Sequence, residues 1–349
     1  MIKRILYTLL IMFPVLASAQ INTDRVMAIG RNALYFEDYV LSIQYFNQVI
    51  NAKPYLSDPY FYRGLAKINL DDFQGAESDC SEAIERNPFV VSAYQVRGLA
   101  RIQQNNFAGA IEDYTKALEF DPENIGVWHN MALCRIRQED YKGAKNDLDK
   151  LIAISPRYTK AYLMRGEVDL KQKDTLAAEK DFGKAIEIDR YDADTWASRA
   201  ILRLQQQRYK DAEADFDHAI RLSTRNSGVY INRALARYHQ NNLRGAMSDY
   251  DIALDIDPNN FIGHYNRGLL RAQVGDDNRA IQDFNFVIEM EPDNMMAIFN
   301  RGLLLDQTGD YKGAIKDYST VINEYPNFLL GYQYRAQARR KIGDVKGAD

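Results

Sequence analysis

One short motif recurs along this chain at a spacing of 34 residues. Arg-Gly-Leu-Ala occupies residues 63–66 and 97–100, and Arg-Gly-Leu-Leu occupies residues 267–270 and 301–304. With each motif glycine at position 8 of a 34-residue unit, the chain divides without insertion or deletion into nine full units and a partial tenth. Such a period indicates a repeat fold, in which each unit buries its apolar face against its neighbours. The units begin at residues 23, 57, 91, 125, 159, 193, 227, 261, 295 and 329.

Four positions of the unit predict two antiparallel helices. Position 8 is never larger than alanine, and position 20 is alanine in every unit except the first, which has Ser42. Small residues at both positions let two helix backbones approach closely, and a large residue at position 24, such as Phe46 or Tyr114, fills the space opposite. Proline at position 32, as in Pro54, follows the second helix, where a missing N–H costs little. The columns therefore predict an all-α chain.

These columns resemble those of the tetratricopeptide repeat (TPR) family. That family also has a bulky residue at position 4, here for example Trp196, and alanine at position 27, here for example Ala83. The resemblance covers residues 23–349. It implies a right-handed superhelical α-solenoid of stacked 34-residue helix-turn-helix units that binds a protein or peptide and is not an enzyme. A repeat fold does not by itself identify the partner.

Residues 1–19 have the features of a secretory signal peptide. Lys3 and Arg4 precede an apolar run of twelve residues from Ile5 to Leu16, which is too short to span a membrane. Ala17-Ser18-Ala19 is a small-x-small cleavage signal. We therefore expect export to the periplasm, the cell envelope or the medium, with residues 20–22 as a short leader before the repeat array 23–349 and no membrane span in the mature chain. The alternative is an uncleaved N-terminal anchor.

Arginine and aspartate recur at two positions where the family usually carries leucine and tyrosine. Position 7 is arginine in eight of ten units, and position 23 is aspartate in eight of nine. Where two antiparallel helices pack together, the repeat positions of two contacting residues add up to a nearly constant number. Positions 8 and 24 add up to 32 and positions 7 and 23 to 30, so we expect the side chains at 7 and 23 to meet as well. We predict a structural ion pair within each unit, because a partly buried charge requires a partner; the alternative is a basic ladder that binds an acidic ligand. The predicted pairs are Arg63–Asp79, Arg97–Asp113, Arg165–Asp181, Arg199–Asp215, Arg233–Asp249, Arg267–Asp283 and Arg301–Asp317.

Two units depart from this pattern. Unit 1 has Ile29 and Tyr45, so both partners are apolar together. Unit 4 has Met131 opposite Asp147, and the nearest basic residue in its first helix is Arg135 at position 11. The joint change in unit 1 supports the pairing, and unit 4 is expected to rely on Arg135.

The chain has no sequence pattern typical of catalysis or of a metal or cofactor site. Its four histidines fall in four different units without ligand spacing, and no glycine-rich phosphate loop is present. Cys80 and Cys134 lie two units apart, too far for the roughly 5–6 Å Cα separation of a disulfide. A net charge of −4 gives no argument for nucleic acid. We expect no enzymatic activity, no cofactor and no nucleic-acid partner.

In the TPR family, ligands lie on a concave surface lined by the first helix of each unit. The resemblance assigns this surface to positions 2, 5, 9, 12 and 13, and here positions 5, 9 and 12 are largely apolar. Some members clamp a C-terminal carboxylate with Lys at 5 and Asn at 9 and 13, but this chain has no Lys at position 5 and no Asn at position 9. An apolar row favours an apolar or aromatic peptide; the alternative is that these residues only pack neighbouring first helices. We expect Tyr265 and Phe299 to face the ligand, because position 5 also tolerates Gln95, His129 and Ala197. The candidate groove residues are Phe61, Leu65, Gln95, Leu99, His129, Leu163, Ile231, Tyr238, Tyr265, Leu269, Phe299 and Leu303.

Two functions fit these observations. The first is a non-catalytic binding scaffold exported to the cell envelope. The second is the sensor or scaffold portion of a larger envelope enzyme or signalling protein, with an effector domain beyond residue 349. The sequence stops at Asp349, just after the pattern of a second helix has begun, and this favours a chain that continues.

Overall fold

The computed structural model describes residues 22–223 and 225–348, so the predicted signal peptide lies outside the described residues. Within these ranges the chain forms 20 α-helices and no strand, in agreement with the all-α prediction. None of the described helices is long and apolar enough to cross a membrane.

The odd-numbered helices are the first helices of the repeats, and the even-numbered helices are the second. Their bounds are α1 Thr23–Tyr35, α2 Tyr39–Ala52, α3 Asp58–Ile68, α4 Phe73–Arg86, α5 Val91–Gln103, α6 Phe107–Phe120, α7 Ile125–Arg137, α8 Tyr141–Ile154, α9 Thr159–Lys171, α10 Thr175–Ile188, α11 Ala193–Gln205, α12 Tyr209–Leu222, α13 Ser227–His239, α14 Leu243–Ile256, α15 Phe261–Gln273, α16 Asp277–Met290, α17 Met295–Gln307, α18 Tyr311–Glu324, α19 Leu329–Lys341 and α20 Val345–Ala348.

The turn between the two helices of a repeat has the same backbone geometry throughout. Position 15 has a positive φ in every repeat, for example 59° at Asn105, and the last three repeats use glycine there, for example Gly309 at 91°. The next residue caps the second helix in most repeats: the side chain of Asn106 accepts from the amide of Gly109 at 3.1 Å. A left-handed residue followed by a cap reverses the chain in few residues. The two helices of each repeat are therefore antiparallel neighbours.

Small residues bring these two helices together. A Cβ added to Gly98 in α5 would lie 2.8 Å from the ring of Tyr114 in α6, which is only 1% exposed. Gly302 and Tyr318 repeat this contact, with the added Cβ 2.9 Å from the ring. The glycine thus creates the space that the large residue at position 24 fills, and larger side chains at position 8 would overpack the helix pair.

The repeats are grouped into two larger compact units, and the boundary between these two units lies between residues 178 and 179. In the first unit, each helix from α1 to α8 packs against the one that follows it, and in the second unit each helix from α11 to α19 does the same. Successive first helices also touch, as α3 does with α5 and α15 with α17. Each unit is therefore a stack of helix pairs of the α-solenoid type, with a core that passes from one repeat to the next.

Candidate peptide-binding site and its charged framework

The arginine at position 7 binds the aspartate at position 23 of its own repeat with two hydrogen bonds. In repeat 7, Arg233 Nε donates to Asp249 Oδ2 at 2.9 Å, and Nη2 donates to Oδ1 at 2.6 Å. Arg237 Nη1, one helical turn later, adds a bond of 2.8 Å to Oδ2. The carboxylate of Asp249 is only 1% exposed, so these charge-assisted bonds replace the water that it lost on folding.

The same geometry recurs in both units. It joins Arg63 to Asp79, Arg97 to Asp113, Arg199 to Asp215, Arg267 to Asp283 and Arg301 to Asp317. Of the remaining predicted pair, Arg165 belongs to the first unit and Asp181 to the second. Within the first unit, Arg165 Nη1 donates to Asp149 at 2.6 Å. The position-7 arginines are thus directed into the protein, as a structural role requires.

Most of the position-7 arginines make a second contact that the sequence analysis did not predict. Arg233 Nη1 donates to Asp217 at position 25 of the preceding repeat, with a distance of 2.7 Å. Arg233 therefore links two repeats as well as two helices. The sequence does contain a signal for this link, namely a polar residue at position 25 of most repeats. This residue precedes the arginine of the next repeat by 16 residues, and the aspartate at position 23 follows that arginine by 16 residues. Equivalent bonds join Arg63 to Asn47, Arg97 to Ser81, Arg267 to Asp251, Arg301 to Asn285 and Arg335 to Ser319.

A further pair joins position 21 of one repeat to position 11 of the next. Arg101 Nε binds Glu77 at 2.8 Å, and Arg237 Nε binds Glu213 at 2.7 Å. Between repeats 4 and 5 the charges are exchanged: Lys145 donates to Asp169, which is 1% exposed, at 2.5 Å. The contact is the same with either polarity, so it depends on charge complementarity between neighbouring repeats.

Repeat 4 leaves its buried aspartate short of hydrogen bonds. Asp147 is 1% exposed, and Met131 occupies the place of the arginine. Arg135 Nε lies 3.2 Å from Asp147 Oδ2, yet among the described residues this oxygen accepts no hydrogen bond, so the attraction is electrostatic only. Burial therefore raises the pKa of Asp147 to about 6, against the opposing effect of Arg135.

A cavity of about 570 Å³ with a mixed polar and apolar lining lies beside α5, α6 and α7 in the first unit. Ile102 of α5, Phe107 at the start of α6 and Leu133 of α7 supply its apolar lining, and Gln103, Asn105 and Arg137 supply polar groups. The candidate residue Leu99, on the same helix as Ile102, is 39% exposed. In the second unit Leu269, at the same repeat position, is also 39% exposed. The first helices thus present apolar side chains to solvent in each unit.

Among the candidate groove residues of the second unit, Ile231 is buried, and Tyr265 and Phe299 are half-buried. Ile231 is 7% exposed and packs in a cluster with Tyr230, so it offers no surface to a ligand. The Tyr265 ring lies edge-on to Phe284 at 5.8 Å, and its hydroxyl accepts from Asn300 at 3.1 Å. Phe299 contacts the rings of three aromatic residues, at centroid distances from 5.0 to 5.8 Å, namely Tyr318, Phe328 and Tyr334. The rings of Tyr265 and Phe299 are thus half-buried against neighbouring aromatic residues, and their contact with a ligand stays a prediction.

The other candidate residues are at least partly buried. Phe61 packs on the cluster that contains Cys80, and Leu303 packs on the cluster that contains Tyr318. Tyr238 packs on the cluster around Tyr250. Leu65, Gln95 and Leu163 are half-buried.

His129 is also half-buried. Its Nδ1 lies 3.3 Å from the hydroxyl of Tyr158, and burial together with the charge of Lys160 lowers its pKa. Both cysteines are free and buried, and burial raises the pKa of Cys80 to about 12 and that of Cys134 to about 11. Among the described residues, no cluster of three His, Cys, Asp or Glu side chains could hold a metal ion.

Comparison with known sequences identifies the repeats. Family models described as TPR repeat or tetratricopeptide repeat match residues 98–134, 125–158, 159–192, 198–261 and 265–327. A search among curated proteins finds no match.

Solved structures with similar folds include two TPR proteins and PilF. A tetratricopeptide repeat protein from Parabacteroides merdae is 21% identical, over 71% of this chain and 98% of its own, with a TM-score of 0.55. PilF of Pseudomonas aeruginosa is 18% identical, over 62% of this chain and 98% of its own, with a TM-score of 0.56. The C-terminal part of a TPR repeat-containing protein from Cytophaga hutchinsonii is 17% identical, over 68% of this chain and 97% of its own, with a TM-score of 0.56. At these identities the likeness shows the fold alone. Since the family models together match more than half of the residues, the chain belongs to the tetratricopeptide repeat family.

Proposed function

We propose that this protein is a non-catalytic scaffold that binds an apolar segment of a peptide or protein on its first helices. The observation that carries the proposal is the cavity of about 570 Å³ beside α5, α6 and α7. Its volume is in the range of small-ligand pockets, roughly 300–1,000 Å³, and is large enough for one or two apolar side chains.

The lining of the cavity supports a peptide rather than a small apolar molecule. Ile102, Phe107 and Leu133 can receive an apolar side chain, while the amides of Gln103 and Asn105 stand at the same cavity, where they can bond to a peptide backbone. Arg137 adds a positive charge at this site. We therefore expect a ligand segment with a Leu or Phe anchor and an acidic neighbour.

We expect Leu133→Ser to weaken binding of such peptides about tenfold or more, because a buried anchor loses its apolar contact. Peptides selected from a random library on the wild-type protein provide the probe, and fluorescence anisotropy measures their affinity. Leu176→Ser is the matched control, because Leu176 lies in the second helix α10 and is 80% exposed. Equal affinity for wild type and Leu133→Ser, with equal thermal melts, would place the binding surface elsewhere.

We also propose that the protein is exported, on the strength of the features of residues 1–19. Full-length protein made in a bacterial host should be recovered outside the cytoplasm with Gln20 as its first residue, because cleavage follows Ala19. Changing Ala17 and Ala19 to leucine should leave the precursor uncut. N-terminal sequencing and mass spectrometry measure both outcomes. A mature N-terminus at residue 1 in the wild type would overturn the proposal.

A further inference from the structure

One repeat has no polar side chain at position 25, the position that elsewhere accepts a hydrogen bond from the arginine of the next repeat. Position 25 is Asn, Ser, Thr or Asp in every full repeat except the fifth, where it is Gly183 in α10. In the other junctions that have an arginine at position 7, this side chain accepts from Nη1 of the arginine. The arginine that follows Gly183 is Arg199 of α11.

Arg199 is held firmly on one side and has an open donor on the other. Its Nε and Nη2 donate to the two oxygens of Asp215, both at 2.8 Å. Among the described residues, no group accepts a hydrogen bond from Nη1. A Cβ added to Gly183 would have Arg199 Nη1, at 4.0 Å, as its nearest neighbour. The missing side chain has therefore left open space in front of a fixed guanidinium.

This space is part of a cavity of about 620 Å³ within the second unit. Trp196 forms one wall, and its position is fixed, since Nε1 donates to the carbonyl of Arg190 at 3.0 Å and the ring stacks on His218 at 4.3 Å. Tyr191 lines the cavity and is 75% exposed. An aromatic wall beside a guanidinium suits a ligand that carries both an apolar group and an anion.

The charged side chains that line the cavity are two arginines, Arg190 and Arg199, and two carboxylates, Glu187 and Asp189. Two carboxylates line it, but Glu187 is paired with Lys184 at 2.9 Å, and Asp189 accepts from the amide of Tyr191 at 2.9 Å. Arg190 lines the cavity and is exposed. The guanidinium of Arg199, beside Gly183, therefore has an unused N–H donor and open space for one more oxygen.

We propose that this cavity binds a carboxylate-bearing ligand, with one carboxylate oxygen on Arg199 Nη1. The protein itself shows the geometry: Asp149, Asp217 and Asp251 each place an oxygen 2.6 to 2.8 Å from the corresponding nitrogen of their arginines. The ligand is an aspartate or glutamate side chain next to an aromatic residue that packs on Tyr191, or a free small carboxylate. This site is separate from the first-helix surface, and its failure would leave the proposed scaffold function untouched.

Trp196 provides the signal for a direct test, because Trp128 is the only other tryptophan of the chain. In a Trp128→Phe background, the fluorescence is titrated with the peptide Ac-Phe-Asp-Ala-NH2, with its neutral counterpart Ac-Phe-Asn-Ala-NH2 and with succinate, at low salt in a buffer without carboxylate or phosphate. We expect a saturable change with the aspartate peptide and binding at least tenfold weaker with the asparagine peptide. Equal affinity for succinate would identify a free carboxylate as the ligand.

Two substitutions of Gly183 separate binding from folding. Gly183→Asp restores the missing link and should abolish the saturable change, with a melting temperature equal to or above that of the parent because a helix glycine is also removed. Gly183→Ala improves the helix equally but leaves Arg199 Nη1 open, so it should retain binding. The proposal is overturned if neither probe gives a saturable change, or if Gly183→Asp binds as well as Gly183→Ala.

Discussion

Arg233→Leu is expected to lower the free energy of unfolding by about 3 kcal/mol, because it leaves a buried carboxylate with an incomplete shell of partners. Asp249 would keep only Arg237, and Asp217 in the preceding repeat would lose its bond from Arg233. The loss should be large, since the side chain of Arg233 is only 12% exposed and that of Asp249 only 1%. Urea unfolding followed by circular dichroism measures the change.

A compensating double variant separates the ion pair from general damage to the core. Arg233→Leu with Asp249→Tyr imitates the apolar pair Ile29 and Tyr45 of repeat 1 and should recover more than half of the lost stability. Lys116→Ala is a control for surface ion pairs, because Lys116 and Glu119 are both more than half exposed, and it should leave the unfolding midpoint unchanged. A double variant as unstable as Arg233→Leu would show that Asp249 does not depend on Arg233.

Asp147→Asn is expected to raise the free energy of unfolding at pH 7.5 by about 2–3 kcal/mol. The folded pKa of Asp147 is about 6, against an ordinary value of 3.8, so the fold favours the protonated form. Because the folded pKa is raised, the stabilising contribution of this group is complete below pH 3.8 and is lost as the pH rises through 6. At pH 7.5 the wild type therefore carries the full cost of a buried, poorly bonded carboxylate, and an uncharged amide avoids it.

The same variant should change the pH dependence of stability. Between pH 7.5 and pH 5 the advantage of Asp147→Asn over the wild type should shrink by about 1–2 kcal/mol, because Asp147 takes up its proton in this range. Taking the difference between the two proteins cancels the titration of His129 and of other groups. Met131→Arg offers an independent check, since it supplies the guanidinium that other repeats have at position 7. This variant should make the free energy of unfolding depend less on pH between pH 5 and pH 7.5. A constant difference across this range would show that Asp147 is ionised throughout.

The sequence alone was sufficient for features that lie within one repeat. The small residue at position 8 and the large one at position 24 specify a helix pair, because both residues of this contact belong to the same 34-residue repeat. The contact between Arg233 and Asp249 belongs to the same class: the two helices are antiparallel, so the sum of repeat positions indicates which residues meet. Ten units in phase then led to the repeat family without any tertiary information.

Only the tertiary structure decided the features that lie between repeats. The packing of one helix pair on the next places Asp217 against Arg233 and Lys145 against Asp169. It also leaves a cavity in front of Arg199, where Gly183 has no side chain. The same packing buries Ile231 and brings the half-buried rings of Tyr265 and Phe299 against neighbouring aromatic rings, although their repeat position predicted exposure. A period describes each unit by itself, whereas burial and partner choice depend on how neighbouring units pack, and that packing is set by the shapes of many side chains together.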